Sequence, residues 1–206
     1  MNICVIYSSP KLGDLIWHLP FIKIISEKYK EKIILITRSS TEAKELLKNE
    51  PYLEGVIYNE FKKDFINYWR EIFYLRKILN KNNIQDLWIL DKINRPAIAG
   101  FISNVKNVFG YGVGLQKIFL TNKNYLIKHD LKTHYILRGK RFLELMNFNK
   151  TYEEPLIGIN NEQVKYIRKK LNLSEKVIIS YGVDSRETHR IWPAIKFVEL
   201  IKKISK

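Results

Sequence analysis

Residues 2–20 read NICVIYSSPKLGDLIWHLP. Asn2–Tyr7 is a short apolar run rich in β-branched residues, the length and composition of a buried strand. Ser8–Gly13 is turn chemistry: two serines, a proline and a glycine. After Asp14, apolar residues recur with helical spacing from Leu15 to Tyr29, through Ile16, Leu19, Ile22 and Ile25. Pro20 lies inside that stretch and predicts that the helix starts or kinks near it. Strand, polar loop and helix in this order open a βαβ unit.

The same alternation continues downstream. Lys32–Thr37 predicts a second strand, Thr41–Lys48 a short helix and Gly55–Tyr58 a third strand. Phe65–Leu79 predicts a long helix with Phe65, Tyr68, Trp69 and Phe73 on one face. Asp86–Leu90, Ala97–Ser103 and Val105–Tyr111 complete the series as strand, helix and strand. Strands separated by helices specify an α/β fold with a Rossmann-like parallel sheet. Right-handed crossovers then gather the loops after each strand on one edge, where open α/β sheets bind ligands. Gly13-Asp14 falls in the first of these loops.

Beyond residue 112 the pattern loosens. Asp130–Met146 predicts a helix, Thr151–Pro155 a boundary and Asn160–Leu171 a basic helix. Lys176–Ser180 predicts a strand, 181–190 a polar loop, and Trp192–Ile204 a helix with Pro193 in its first turn. The expected organisation is an N-terminal domain, residues 1–152, followed by the start of a second α/β domain, residues 153–206. A lone strand with its helices cannot bury both sheet faces, and a full second domain needs roughly another 100 residues. The expectation is therefore an incomplete second domain.

Composition narrows the function classes. The chain has 206 residues, 46% hydrophobic and 13% aromatic, enough for a packed core. A single cysteine, Cys4, excludes a disulfide framework and multi-cysteine zinc sites, and points to a reducing compartment. No apolar run approaches the roughly 18 residues of a membrane span, and residues 1–10 lack the pattern of a secretory leader. The formal charge is +15. Its carriers are 27 lysines and only 9 arginines, spread along the whole chain beside abundant Ile and Asn. That is the signature of compositional drift more than of a nucleic-acid reader. Such a surface still attracts anionic lipid headgroups and phosphate-bearing substrates.

Several common chemistries are missing from the sequence. It carries no phosphate-loop pattern, no G-x-S-x-G elbow and no D-x-D pair. His18, His129, His134 and His189 are not spaced as zinc pairs. Gly110-Tyr111-Gly112-Val113-Gly114 lacks dinucleotide-fingerprint spacing and reads as a glycine-rich turn. Two stretches remain. In the first, Asp14 reads as a helix N-cap or as a carboxylate facing the ligand crevice, able to accept a proton. His18, one turn later, is structural or shares that face. In the second, Ser185, Thr188 and Arg190 precede a helix that follows a strand. This suits an anion such as a diphosphate, or is an ordinary capped loop.

Together these stretches resemble glycosyltransferase family 9, the ADP-heptose:lipopolysaccharide heptosyltransferases and their relatives. The family opens with a strand, a small loop and G-D-x-x-x-x-L-P, matched here by Gly13-Asp14-Leu15-Ile16-Trp17-His18-Leu19-Pro20. Its second domain opens with strand, glycine, hydroxyl, K-x-W-P and a helix like F-x-E-L. Gly182, Ser185, Arg190-Ile191-Trp192-Pro193 and Phe197-Val198-Glu199-Leu200 occupy those places. The fourth strand, Asp86–Asp91, the V-x-x-V-F-G-Y strand and the helix opening at His134 are also similar. Trp17 stands where the family often has His, and Arg190 where it usually has Lys.

The resemblance implies a GT-B architecture, with the acceptor on the first domain and the nucleotide-sugar on the second. It implies inverting, metal-independent transfer, with ADP-heptose as the best-known donor, a lipid-linked or lipopolysaccharide-core acceptor, and no cofactor beyond the donor. Asp14 becomes the general base. Ser185, Thr188 and Arg190 become ligands of the donor diphosphate, and Lys11, Gly13 and His18 contacts of the acceptor. The implied location is cytoplasmic, peripheral on an anionic membrane surface, with no nucleic-acid partner. The alternatives are a truncated remnant that binds acceptor without transfer and a basic nucleic-acid-binding α/β protein.

Overall fold

The computed structural model describes residues 1–61, 65–149, 152–173 and 191–204. They fall in two compact units, Met1–Ile159 and Asn160–Lys206. The first unit holds β1 (Ile3–Ile6), β2 (Ile33–Thr37), β3 (Leu53–Tyr58), β4 (Asp86–Ile89) and β5 (Asn107–Gly110). All pair in parallel, in the order β3-β2-β1-β4-β5. Its helices are α1 (Leu12–Ile16), α2 (Leu19–Tyr29), α3 (Ala43–Leu46), α4 (Phe65–Lys81), α5 (Arg95–Ile102) and α6 (Tyr135–Leu145). In the second unit the described helices are α7 (Asn161–Lys170) and α8 (Ala194–Ile204). The strand expected at Lys176–Ser180 and the loop after it lie outside the described residues. No described helix is long and apolar enough to cross a membrane.

Parallel strands must be covered on both faces, and β1, β2 and β4 are buried along their whole length. Successive side chains of β1 enter different cores. Ile3, Val5 and Tyr7 pack with Leu19, Phe21, Ile22 and Ile25 of α2, Trp88 of β4, and Phe142 and Leu143 of α6. Cys4 and Ile6 pack with Ile72, Leu75 and Leu79 of α4 and Ala97 and Ala99 of α5. Each fully buried aliphatic side chain contributes about 1.5–3 kcal/mol. Burial also pushes the Cys4 thiol up, leaving it a protonated core residue.

Three local features have physical causes, and one of them departs from the sequence pattern. The break expected near Pro20 is present, and the amphipathic stretch is two helices. A through-going helix would need an N–H from Pro20 to the Ile16 carbonyl, and proline has none. The chain therefore restarts at Leu19 with Pro20 in the first turn, where no N–H is needed. The helix expected over Asp130–Met146 is likewise split. Asp130 Oδ2 accepts from Ile127 N at 3.0 Å and Thr133 Oγ1 donates to Asp130 O at 2.6 Å, holding a 3-10 turn before α6. The glycine-rich turn expected at 110–114 links the end of β5 at Gly110 to a 3-10 helix that opens at Gly114, with φ of +76° at Gly112 and +54° at Gly114.

The segment from Tyr152 to Gly158 belongs to the first unit and is tied back to it. Glu50 Oε1 accepts from Gly158 N at 2.5 Å, and Lys23 pairs with Glu153 at 3.2 Å. On the same sheet face α2 and α6 meet at Gly139. A Cβ there would drive into the ring of Phe21, which is fully buried and cannot swing away. Gly139→Ala is expected to destabilise the protein by about 1–3 kcal/mol through overpacking, despite alanine's better helix propensity. Urea unfolding of the two proteins measures the difference.

Candidate active site

The strand order reverses direction between β1 and β4. Their carboxyl ends lie side by side, Ile6 opposite Ile89, and the chain leaves them toward opposite sides of the sheet. Such a switch point opens a crevice at the sheet edge. The loop after β1, the loop after β4 and the start of α6 surround it.

Asp14 is not a helix cap. Lys11, in an extended conformation, is the N-cap of α1, and Asp14 is the third residue of that helix. Its half-buried carboxylate accepts at Oδ2 from Ser9 Oγ, 2.9 Å away. The same Ser9 oxygen accepts from Lys11 N at 3.4 Å, so one hydroxyl ties the loop to the carboxylate. Lys11 and Gly13 are exposed. A Cβ at Gly13 would meet nothing within 4 Å, and its φ is not positive. Neither packing nor backbone strain explains a glycine inside this helix, where it costs about 1 kcal/mol relative to alanine. What the glycine leaves is open backbone beside Asp14.

His18 is 2% exposed and stands between Tyr7 and Tyr135, with ring centroids 4.1 and 5.6 Å away. Its Nδ1 lies 2.7 Å from the Asp14 carbonyl oxygen. A carbonyl only accepts, so Nδ1 carries the proton and donates. Burial pushes the imidazole down to about 4, against the pull of the Asp14 carbonyl and of the Asp91 and Asp14 charges. His18 is therefore neutral near pH 7 and clamps the helix turn that carries Asp14. Tyr7 is pushed up by burial and then by the Asp14 carboxylate, and Tyr135 is shifted the same way by the same two causes.

A second carboxylate, Asp91, follows β4. Ser8 Oγ donates to its Oδ2 and Lys92 N donates to its Oδ1 at 2.6 Å. The loop bearing it is pinned by Gln116, which is fully buried. Gln116 Nε2 donates to the carbonyls of Asp91 and Ile93 at 3.1 and 2.8 Å, and its Oε1 accepts from Gly112 N at 2.8 Å. Two cations complete the surroundings. Lys92 Nζ donates to Leu131 O at 2.8 Å, and its ammonium is pushed down by desolvation and by Arg138. Arg138, one turn into α6, donates from Nη2 to Thr133 O at 3.0 Å, while its buried Nε has no hydrogen-bond partner among the described residues.

The structure thus brings together Asp14 and His18 of the sequence-derived candidates and leaves Lys11 and Gly13 exposed beside them. Ser185, Thr188 and Arg190 lie outside the described residues. Sequence reading missed Ser9, Tyr7, Gln116, Arg138 and the role of Asp91. For Asp91 a signal existed: it is the first charged residue after the apolar run of the strand paired with β1. Among the described residues no cluster of three or more His, Cys, Asp and Glu could hold a metal ion.

No protein-family model matches this chain, and no curated protein does. Solved structures match it well. A glycosyl transferase family 9 structure from Veillonella parvula superposes with a TM-score of 0.77 at 18% identity, over 98% of this chain and 59% of that one. The E. coli ADP-heptose lps heptosyltransferase II superposes at 0.70 and 15% identity, over 99% and 61%. The E. coli heptosyltransferase WaaC with ADP superposes at 0.62 and 16% identity, over 100% and 65%. The fold is therefore that of the GT-B glycosyltransferases, and the chain spans about three fifths of the length of these solved chains.

The buried neutral imidazole makes stability depend on pH. Between pH 6.5 and about 4 the unfolded His18 takes up a proton that the folded one refuses. Stability present above pH 6.5 is lost as pH falls through that window, by roughly 3 kcal/mol. His18→Asn, which keeps a donor but does not titrate, is expected to remove most of that slope. Denaturant unfolding at a series of pH values from 7 to 4 would show it.

Proposed function

We propose that this chain carries the acceptor half of an inverting sugar-transfer reaction, with Asp14 as general base. The observation that carries the reading is Asp14 itself: a half-buried carboxylate, oriented by Ser9, at the switch-point crevice of a GT-B fold, with open backbone at Gly13 beside it. The neighbouring glycosyltransferase structures support the reaction class, and the G-D-x-x-x-x-L-P pattern supports the role of Asp14.

In the proposed step an acceptor hydroxyl oxygen attacks the anomeric carbon of the donor sugar. Asp14 takes the hydroxyl proton as the new C–O bond forms, and the bond to the diphosphate breaks on the opposite face, inverting the configuration. A carboxylate serves as base because the hydroxyl becomes strongly acidic only as that bond forms. The proposed donor is a nucleotide-diphosphate sugar, ADP-heptose first among candidates. Arg190, with Ser185 and Thr188, is the proposed partner of its leaving diphosphate, so the negative charge is met by protein groups rather than by a metal ion. The proposed acceptor is an anionic, lipid-linked or lipopolysaccharide-type saccharide. Lys11, Lys92 and Arg138 supply positive charge for it around the crevice, and Asp91 and His18 wall it. The proposed location is the cytoplasmic membrane face.

Transfer assays with ADP-heptose and a lipid-linked core acceptor test this reading. Asp14→Asn is expected to lower kcat by about 10²–10⁴-fold with donor affinity unchanged. Ser9→Ala removes only the hydrogen bond that orients the base and is expected to lower kcat by up to about tenfold. Arg190→Ala is expected to weaken donor binding measured by calorimetry. An Asp14→Asn variant as active as the parent would overturn the mechanism.

A further inference from the structure

The crevice does not use the outer face of α4. This helix buries Ile72, Leu75, Ile78 and Leu79 against the sheet and turns Glu71 inward, 2.7 Å from Arg95. Its solvent arc carries Trp69, Phe73 and Tyr74, exposed by 48%, 57% and 45%. Interleaved with them are Arg70, Arg76, Lys77 and Lys81, all exposed, and no acidic residue. At 3.6 residues per turn all seven fall within an arc of about 160° on one side of the helix. Three large aromatics clustered in water beside four cations are not explained by the core, which α4 already serves with its other face.

The position of the face relative to the crevice gives it meaning. The first half of α4 stands at the ligand-bearing edge of the sheet. Tyr68 Oη lies 3.2 Å from Asn94 Oδ1, in the loop that follows Asp91. Beside this contact is a hollow of about 490 Å³, lined in part by Tyr68, Lys92, Ile93, Asn94 and Arg95. The start of α4 therefore lies beside the loop that carries Asp91 and Lys92.

We propose that this arc of α4 docks on an anionic phospholipid surface. The inference rests on the transfer reading only for its purpose, which is to bring the crevice to a lipid-anchored acceptor. Charge complementarity selects the occupant. A second copy of the chain would set four cations against four cations. A lipid surface meets both halves of the arc, with Trp and Tyr at the headgroup level and Arg and Lys on the phosphates.

Vesicle co-flotation of the full chain tests the proposal without donor or acceptor. The probes are vesicles of phosphatidylcholine alone and of phosphatidylcholine mixed with phosphatidylglycerol. The chain is expected to bind the mixed vesicles and to bind the neutral ones at least tenfold more weakly. Trp69→Ser/Phe73→Ser, which changes no charge, and Arg70→Gln/Arg76→Gln/Lys77→Gln are each expected to weaken binding at least tenfold. Leu137→Ser, an exposed apolar residue of α6 on the other side of the sheet, is expected to leave it unchanged. Circular dichroism checks that each variant is folded. If the aromatic variant binds as tightly as the parent, only the net charge attracts the lipid and α4 is not the surface. A parent dimer that this variant dissociates would assign the face to self-association instead. A parent that ignores both vesicles but binds duplex DNA would assign it to nucleic acid. Vesicle binding without sugar transfer would sink the catalytic reading and leave this one standing.

Discussion

β1 is buried on both faces and hydrogen-bonded on both edges, to β2 and to β4. A strand so placed takes a charged side chain only where a partner meets it, as Asn107 meets Asp86 in β4, and Ile3, Cys4, Val5 and Ile6 carry no charge. The constraint reaches further than the core. With β1 central and its neighbours reached by crossovers on opposite sides, its carboxyl end is the one place where two loops diverge instead of covering each other. Polar residues excluded from the strand begin at once beyond it, with Ser8 and Ser9. The same constraint that makes the strand apolar thus puts the hydroxyls and Asp14 at the rim of the crevice.

The rim is organised by hydrogen bonds from adjacent residues that point different ways. Ser8 donates to Asp91 and Ser9 to Asp14, so two neighbouring hydroxyls hold carboxylates from two different loops. His18 adds a clamp on the Asp14 carbonyl and remains neutral because burial outweighs the nearby negative charges. Gln116 does for the Asp91 loop what His18 does for the Asp14 turn. The result is a preorganised pair of acids with cations close by, a setting in which charge and orientation are set before any ligand arrives.

The alternation of strands and helices was legible because it follows from local periodicity, and five strands form close to where the pattern placed them. The break at Pro20 was legible too, since a missing N–H acts on its own helix. Whether Asp14 was a cap or a carboxylate facing the crevice was not, because excluding the cap depends on Lys11 adopting an extended conformation three residues before the expected cap position. Gln116 and Arg138 carried no local signal. Gln116 joins residues 91, 93 and 112, and Arg138 reaches the crevice only because α6 folds back on α2.

Taken alone, the order of apolar and polar residues determined the α/β class, the strand set, the loop that holds Gly13 and Asp14, and the family resemblance carried by G-D-x-x-x-x-L-P. These are properties of neighbouring residues, governed by periodicity, turn chemistry and the backbone limits of proline and glycine. Only the tertiary structure decided which loops meet, that Ser8 and Ser9 serve different carboxylates, that His18 is a buried neutral donor, and that α4 presents aromatics and cations on one exposed side. Those outcomes depend on contacts between residues far apart in the chain, and on how much water each group loses when they form.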